Sequence, residues 1–214
     1  MPRWLLALLA FLVAILWWVG HRGSASLAAS TDGNAVLRIC QAAPSPPDGM
    51  QTLQLDAGGQ VLPFRMGQAT ISPLAGFSLQ ARVLSRENYS MGRESDYSPT
   101  DLALGWGPMA APGMADRLHV SQGGRWYRYR WDDDGPPLPV GTIVRSSANM
   151  HMVPANADVA RALSAISDED VIRLRGWLVR IDGDSGWHWQ SSLSRDDSGS
   201  GACELVLVCS IEKR

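Results

Sequence analysis

From residue 51 onward, apolar and polar positions alternate in short runs separated by turn residues, which is the pattern of half-buried strands. Phe77, Leu79, Ala81 and Val83 alternate with Ser78, Gln80 and Arg82, predicting one clean strand. Residues 51–55 and 60–66 flank Asp56-Ala57-Gly58-Gly59 and read as a hairpin. Residues 101–106 read as a further strand, stopped by Gly107-Pro108. A second hairpin is expected from residues 117–122 and 125–131 around Gly123-Gly124. In its second strand Tyr127, Tyr129 and Trp131 share one face, and Trp126, Arg128 and Arg130 share the other. Asn156 can cap a helix over residues 157–166, with Val159, Ala162, Leu163 and Ile166 on one side. Strands at 171–181, 187–193 and 203–211 complete the chain as a meander. The first of these is apolar on both faces, and Gly176 in its middle marks a bulge or a sharp bend. The predicted fold is mainly β: a small closed or partly open barrel, OB-like in form, with one short helix.

The N-terminus breaks this pattern. Residues 4–19 read WLLALLAFLVAILWWV, uncharged and about 24 Å long as a helix. Trp4 and Trp17-Trp18 at its ends resemble the aromatic belts of a spanning helix. An N-terminal transmembrane helix is the preferred reading, contacting the membrane through residues 4–20; Ser26-Leu27-Ala28 offers a cleavage site for the alternative, a removed signal. Arg3 and Arg22 balance one another and leave orientation open. Residues 1–22 are thus expected to anchor, 23–50 to form a flexible tether rich in Ser, Ala, Gly and Pro, and 51–214 to form the β-rich domain. A strand also fits residues 35–39 within the tether.

Composition narrows the partners. A net charge of −2 gives no general attraction to nucleic acid, so none is expected as a partner. Of the three cysteines, Cys203 and Cys209 on one straight strand would lie about 20 Å apart and could not bond to each other. One of them can pair with Cys40 and leave the other free, or both can serve as small buried apolar groups.

Candidate chemistry gathers in residues 146–155, SSANMHMVPA. On a strand, Met150 and Met152 point one way and His151 the other. Thioethers select Cu(I), so Met150 and Met152 with Met114 or His119 form a candidate metal set; otherwise no cofactor is expected. A hydrolytic site can be drawn from His151 as base, Asp196 or Asp197 orienting it, and Ser147 or Cys203 as nucleophile. Trp126, Tyr127, Arg128, Asn149 and Arg195 are candidate binding residues, because aromatic and guanidinium groups suit a protein or glycan surface. The acidic run 132–134 and the segment 182–186, which partly echoes a calcium loop, both read as turns.

The stretches DLALGWGPM (101–109), SANMHMVPA (147–155) and SSLSRDDSGSGACE (191–204) resemble a family of uncharacterised bacterial single-anchor envelope proteins. The resemblance covers most of the chain after about Gly76, implies a setting on the bacterial inner membrane with the domain facing the periplasm or outside, and carries no activity or site residue. Together these readings favour a membrane-anchored extracytoplasmic binding or scaffolding module with a protein or glycan partner. The hydrolase centred on His151 and the Cu(I)-binding protein are the alternatives.

Overall fold

The computed structural model of the chain describes residues 32–57, 61–194 and 202–214. The anchor segment, the tether as far as residue 31, Gly58-Gly59 and the candidates Arg195, Asp196 and Asp197 lie outside the described residues. Among the described residues no helix is long and apolar enough to cross a membrane.

In chain order the described elements are helix α1 (Gly33–Ala42), strands β1 (Thr52–Asp56), β2 (Phe64–Met66) and β3 (Ala69–Asn88), and helix α2 (Arg93–Tyr97). Strand β4 (Thr100–Gly105) leads through a 3-10 turn (Gly107–Ala110) into helix α3 (Met114–Arg117) and the ribbon of β5 (Ser121–Gly123) and β6 (Trp126–Arg128). Helix α4 (Val140–Arg145), β7 (Ser147–Pro154), helix α5 (Ala157–Ser164), β8 (Val171–Gly183), β9 (His188–Gln190) and β10 (Glu204–Lys213) follow. The protein is mainly β. Strands β3, β4, β7, β10 and β8 are neighbours in that order, and β8 pairs back onto β3, so the sheet closes into a ring. All these pairings are antiparallel except β7 with β10.

Alternation fills the inside of the ring. Phe77, Leu79, Leu102, Leu104, Met150, Met152, Leu174, Val206 and Val208 meet there, and Val159 and Leu163 of α5 close over them. Helix α5 begins as its sequence predicts, with the Asn156 side chain accepting from Val159 N–H at 3.0 Å. The opposite faces of the same strands carry two outer clusters. One sits under α1 and gathers Trp177, Val179, Leu205 and Leu207. The other gathers Leu84, Ala103, Met109, Met114, Leu118 and Ile143 under the segment between β4 and β7. Coverage on both faces explains why the middle of β8, Gly176 to Val179, is buried without alternation.

Gly176 marks close backbone approach: a Cβ there would lie 2.0 Å from the Leu207 carbonyl oxygen. The register shift expected near it falls on the partner strand, between Val208 and Ser210, at Cys209.

The expected tether is corrected from Asp32 onward. Residues 33–42 form α1, because Val36 and Ile39 recur on one face and the Asp32 side chain caps the start by accepting from Ala35 N–H at 3.0 Å. The strand expected at 35–39 is therefore helical. Arg175 Nη2 donates to the carbonyls of Cys40, Gln41 and Ala43 at 3.0, 3.4 and 2.6 Å, taking up acceptors that a helix end leaves open. Trp177 Nε1 donates to Ile39 O at 2.9 Å, and Cys40 is bonded to Cys209. The Pro-rich stretch beyond is held too: Ser78 donates to Ser45 O and Arg173 to Pro46 O.

The first expected hairpin is also corrected. Strand β1 pairs with β3 across Ala75–Leu79 instead of with β2, and β2 turns through Gly67, at φ +60°, onto the start of β3. Two strands that looked like neighbours in sequence both use the same long partner.

Candidate functional site

The outer face of β4 and β7 carries Asp101, Ala103, Asn149 and His151, because these alternate with the inward-facing Leu102, Leu104, Met150 and Met152. Asp101 and His151 are directly paired across the two strands. The segment between β4 and β7 folds back over this face and lays the β5–β6 ribbon on it. The ribbon turns at Gly124-Arg125, both at positive φ (+59° and +69°), as a two-residue turn matching strand twist requires. The sequence places the turn one residue earlier, at Gly123-Gly124. Register explains the shift: an arginine is held in the left-handed region because its side chain reaches down to Asp101.

Asp101 is fully buried, and polar groups surround it. Arg125 Nη1 lies 2.7 Å from Oδ1, and Asn149 Nδ2 donates to Oδ2 at 3.3 Å. His151 Nδ1 is 3.0 Å from Oδ2, within ion-pair distance but out of line for a hydrogen bond. Gln122 Nε2 donates to Asn149 Oδ1 at 2.6 Å, and Asn149 Nδ2 also reaches the Arg125 carbonyl at 3.3 Å. The Arg125 guanidinium lies over the Tyr89 ring at 3.9 Å, and its backbone N–H donates to Tyr89 Oη at 3.0 Å. Trp189 packs beside both partners, 4.7 Å from the His151 ring and 5.6 Å from the Arg125 guanidinium. One carboxylate thus ties the ribbon tip to the ring, with aromatic rings holding the cation in place.

The structure brings some sequence-derived candidates together and separates others. His151 and Asn149 share the Asp101 cluster, and Cys203 Sγ lies 3.9 Å from the Arg125 carbonyl. Ser147 does not join them: it lies four residues from His151 on the same strand, about 13 Å away. Its hydroxyl instead donates to Ile143 O at 2.7 Å and receives Tyr127 Oη at 3.3 Å, so it is corrected from nucleophile to a bond of the outer packing. The candidate metal residues are not brought together either. Met150 and Met152 are fully buried inside the ring, whereas Met114 packs in the outer cluster and His119 pairs with Asp132 at 2.9 Å. Among the described residues no three His, Cys, Asp or Glu side chains are placed to hold a metal ion. The segment 182–186 runs from the end of β8 into a turn, and Arg180 and Arg65 pair with Asp182 and Asp184, each holding its carboxyl below the usual range.

Of the ribbon residues, Tyr127 faces inward, and Trp126, Arg128 and Arg130 are exposed on the outer side. Tyr127, Tyr129 and Trp131 form a row of ring contacts at 5.4 and 6.3 Å. Burial pushes the Tyr127 phenol up to about 12. A phenol raised on folding stabilises the fold fully below pH 10, and that contribution is lost as pH climbs through 10 to about 12, because the unfolded chain releases its proton first. The expected loss is about 2 to 3 kcal/mol over that window. Tyr127→Phe should cost about 1 kcal/mol at neutral pH and flatten the alkaline decline, as urea unfolding at pH 8 to 11.5 can check.

Asp101, Tyr89, Gln122 and Trp189 were not singled out from sequence. The available signal was Asp101 itself, a charge opening an otherwise apolar strand. No protein-family model matches the chain, and neither a curated protein nor a solved structure matches it.

Proposed function

We propose that the protein is a membrane-anchored extracytoplasmic binding module. In this reading the ring is a small OB-like barrel: five strands in the order first, second, third, fifth, fourth, a parallel third–fifth pair, and a helix between third and fourth. The single observation that carries the function is the β5–β6 ribbon. Its inner side is fixed by Arg125 on buried Asp101, and its outer side displays Trp126, 40% exposed, beside Arg128 and Arg130. A rigid aromatic and basic surface suits recognition, because little side-chain and backbone freedom is lost when a partner docks. The Cys40–Cys209 bond supports an oxidising location, where disulfides persist, and the apolar segment 4–19 supports attachment to the bacterial inner membrane. The partner is an envelope protein or a glycan.

A photo-crosslinking residue at 126 in the membrane-bound full chain tests this, combined with co-sedimentation on cell-wall glycan. Adducts or glycan retention specific to position 126, and absent from a probe at Val140, are expected. Neither signal at 126 would end the reading.

A hydrolase centred on His151 takes second place. Asp101 lies 3.0 Å from His151 Nδ1 and would have to come into line with it to take the orienting role first assigned to Asp196 or Asp197, with Cys203 in the same cluster. His151 is 3% exposed under Trp189, so a substrate would have to displace the ring to reach it.

A further inference from the structure

Residues 1–31 join the folded body at Asp32, whose N–H donates to the Arg65 carbonyl at 3.2 Å. The surroundings of that junction are unusual for an exposed surface. Arg65 is paired with Asp184 at 2.8 Å, and the buried Tyr97 stacks on Trp187 at 6.0 Å. The Arg93 guanidinium lies 5.6 Å over the same Trp187 ring. Two residues before Arg93 is Met91, 87% exposed, and three before Arg65 is Leu62, 76% exposed. No other large apolar side chain among the described residues exceeds 58%. Exposed aliphatic side chains near a half-buried Trp and the Arg93 guanidinium form an interfacial composition: apolar groups for the acyl boundary, a ring and a cation for the headgroup level.

We infer that this face, with Leu62 and Met91 at its tips, rests on the lipid bilayer. The inference builds on the membrane-anchored reading and adds to it a second contact, made by the folded body. Chain length fits. Twelve residues separate Val19 from Asp32, a reach of at most about 45 Å even when fully extended. The apolar segment is joined to the body at this face, where Asp32 N–H donates to the Arg65 carbonyl. Leu62 and Met91 supply apolar insertion, and Arg93 supplies a cation for lipid phosphate. Val140 begins α4, whose Ile143 packs in the outer cluster between β4 and β7, and it is 44% exposed.

The test uses the full chain reconstituted in vesicles of three parts phosphatidylethanolamine to one part phosphatidylglycerol. Cys203 is replaced by alanine and single cysteines are introduced as L62C, M91C or V140C, each carrying a polarity-sensitive fluorophore. Blue-shifted emission and quenching by brominated lipid at 62 and 91, with neither at 140, are expected. Equal, water-like emission at all three positions in a chain that resists alkaline carbonate extraction would overturn the lipid-facing surface and leave the anchor standing. Release of the chain by carbonate would overturn both.

Discussion

Replacing Cys40 and Cys209 together by serine is expected to lower the unfolding free energy by about 5 kcal/mol, the chain-entropy value for so long a loop. The bond joins residues 169 apart, from the helix before the first strand to the last strand of the ring. Without it the unfolded chain regains nearly its whole freedom, while the folded state loses little direct contact. Helix α1, then held by its Arg175 and Trp177 hydrogen bonds and its apolar face without a covalent tie, should open locally before the ring does. Urea unfolding of oxidised and double-serine chains gives the first quantity, and amide exchange over residues 33–42 gives the second. A difference below about 1 kcal/mol would mean that the unfolded chain is already compact around these ends.

Asp101→Ala is expected to cost about 4 kcal/mol. The carboxylate is fully buried, and its removal leaves the Arg125 cation, with a side chain only 18% exposed, facing an emptied site. Breaking one side of a buried ion pair costs about 3 to 5 kcal/mol because the remaining charge stays desolvated. The Asp101→Ala/Arg125→Ala double variant should therefore be more stable than the sum of the two single losses allows. That non-additivity in a double-mutant cycle separates a true ion pair from two independent packing defects. The ribbon should loosen in the single variant, with faster amide exchange at residues 121–128.

The contrast between these two features shows what sequence could and could not reveal. Strand periodicity correctly set Met150 and Met152 against His151, and the polar start of α5 correctly named Asn156 as its cap. Both depend on neighbours within a few residues. The Asp101 cluster depends on residues 24 and 48 positions away, Arg125 and Asn149, brought together by ring closure. No local pattern encodes that meeting. The tether failed for another reason: composition averaged over residues 23–50 hid a short amphipathic run, Val36 and Ile39 with Cys40. That run is helical only with a sheet to bury it and Arg175 to complete its end. The hairpin at 51–66 failed because β1 found a longer partner in β3 than its neighbour could offer.

The binding reading joins these parts. A buried carboxylate fixes the ribbon, the ribbon presents Trp126 and Arg128, and the disulfide keeps the N-terminal segment on the same body. The most direct test is the Trp126→Ala/Arg128→Ala double variant in the full chain, measured for retention of the partner identified from position 126. Both side chains are exposed, so stability should stay within about 0.5 kcal/mol of the parent. Loss of partner retention at unchanged stability is the predicted result; full retention would contradict the account.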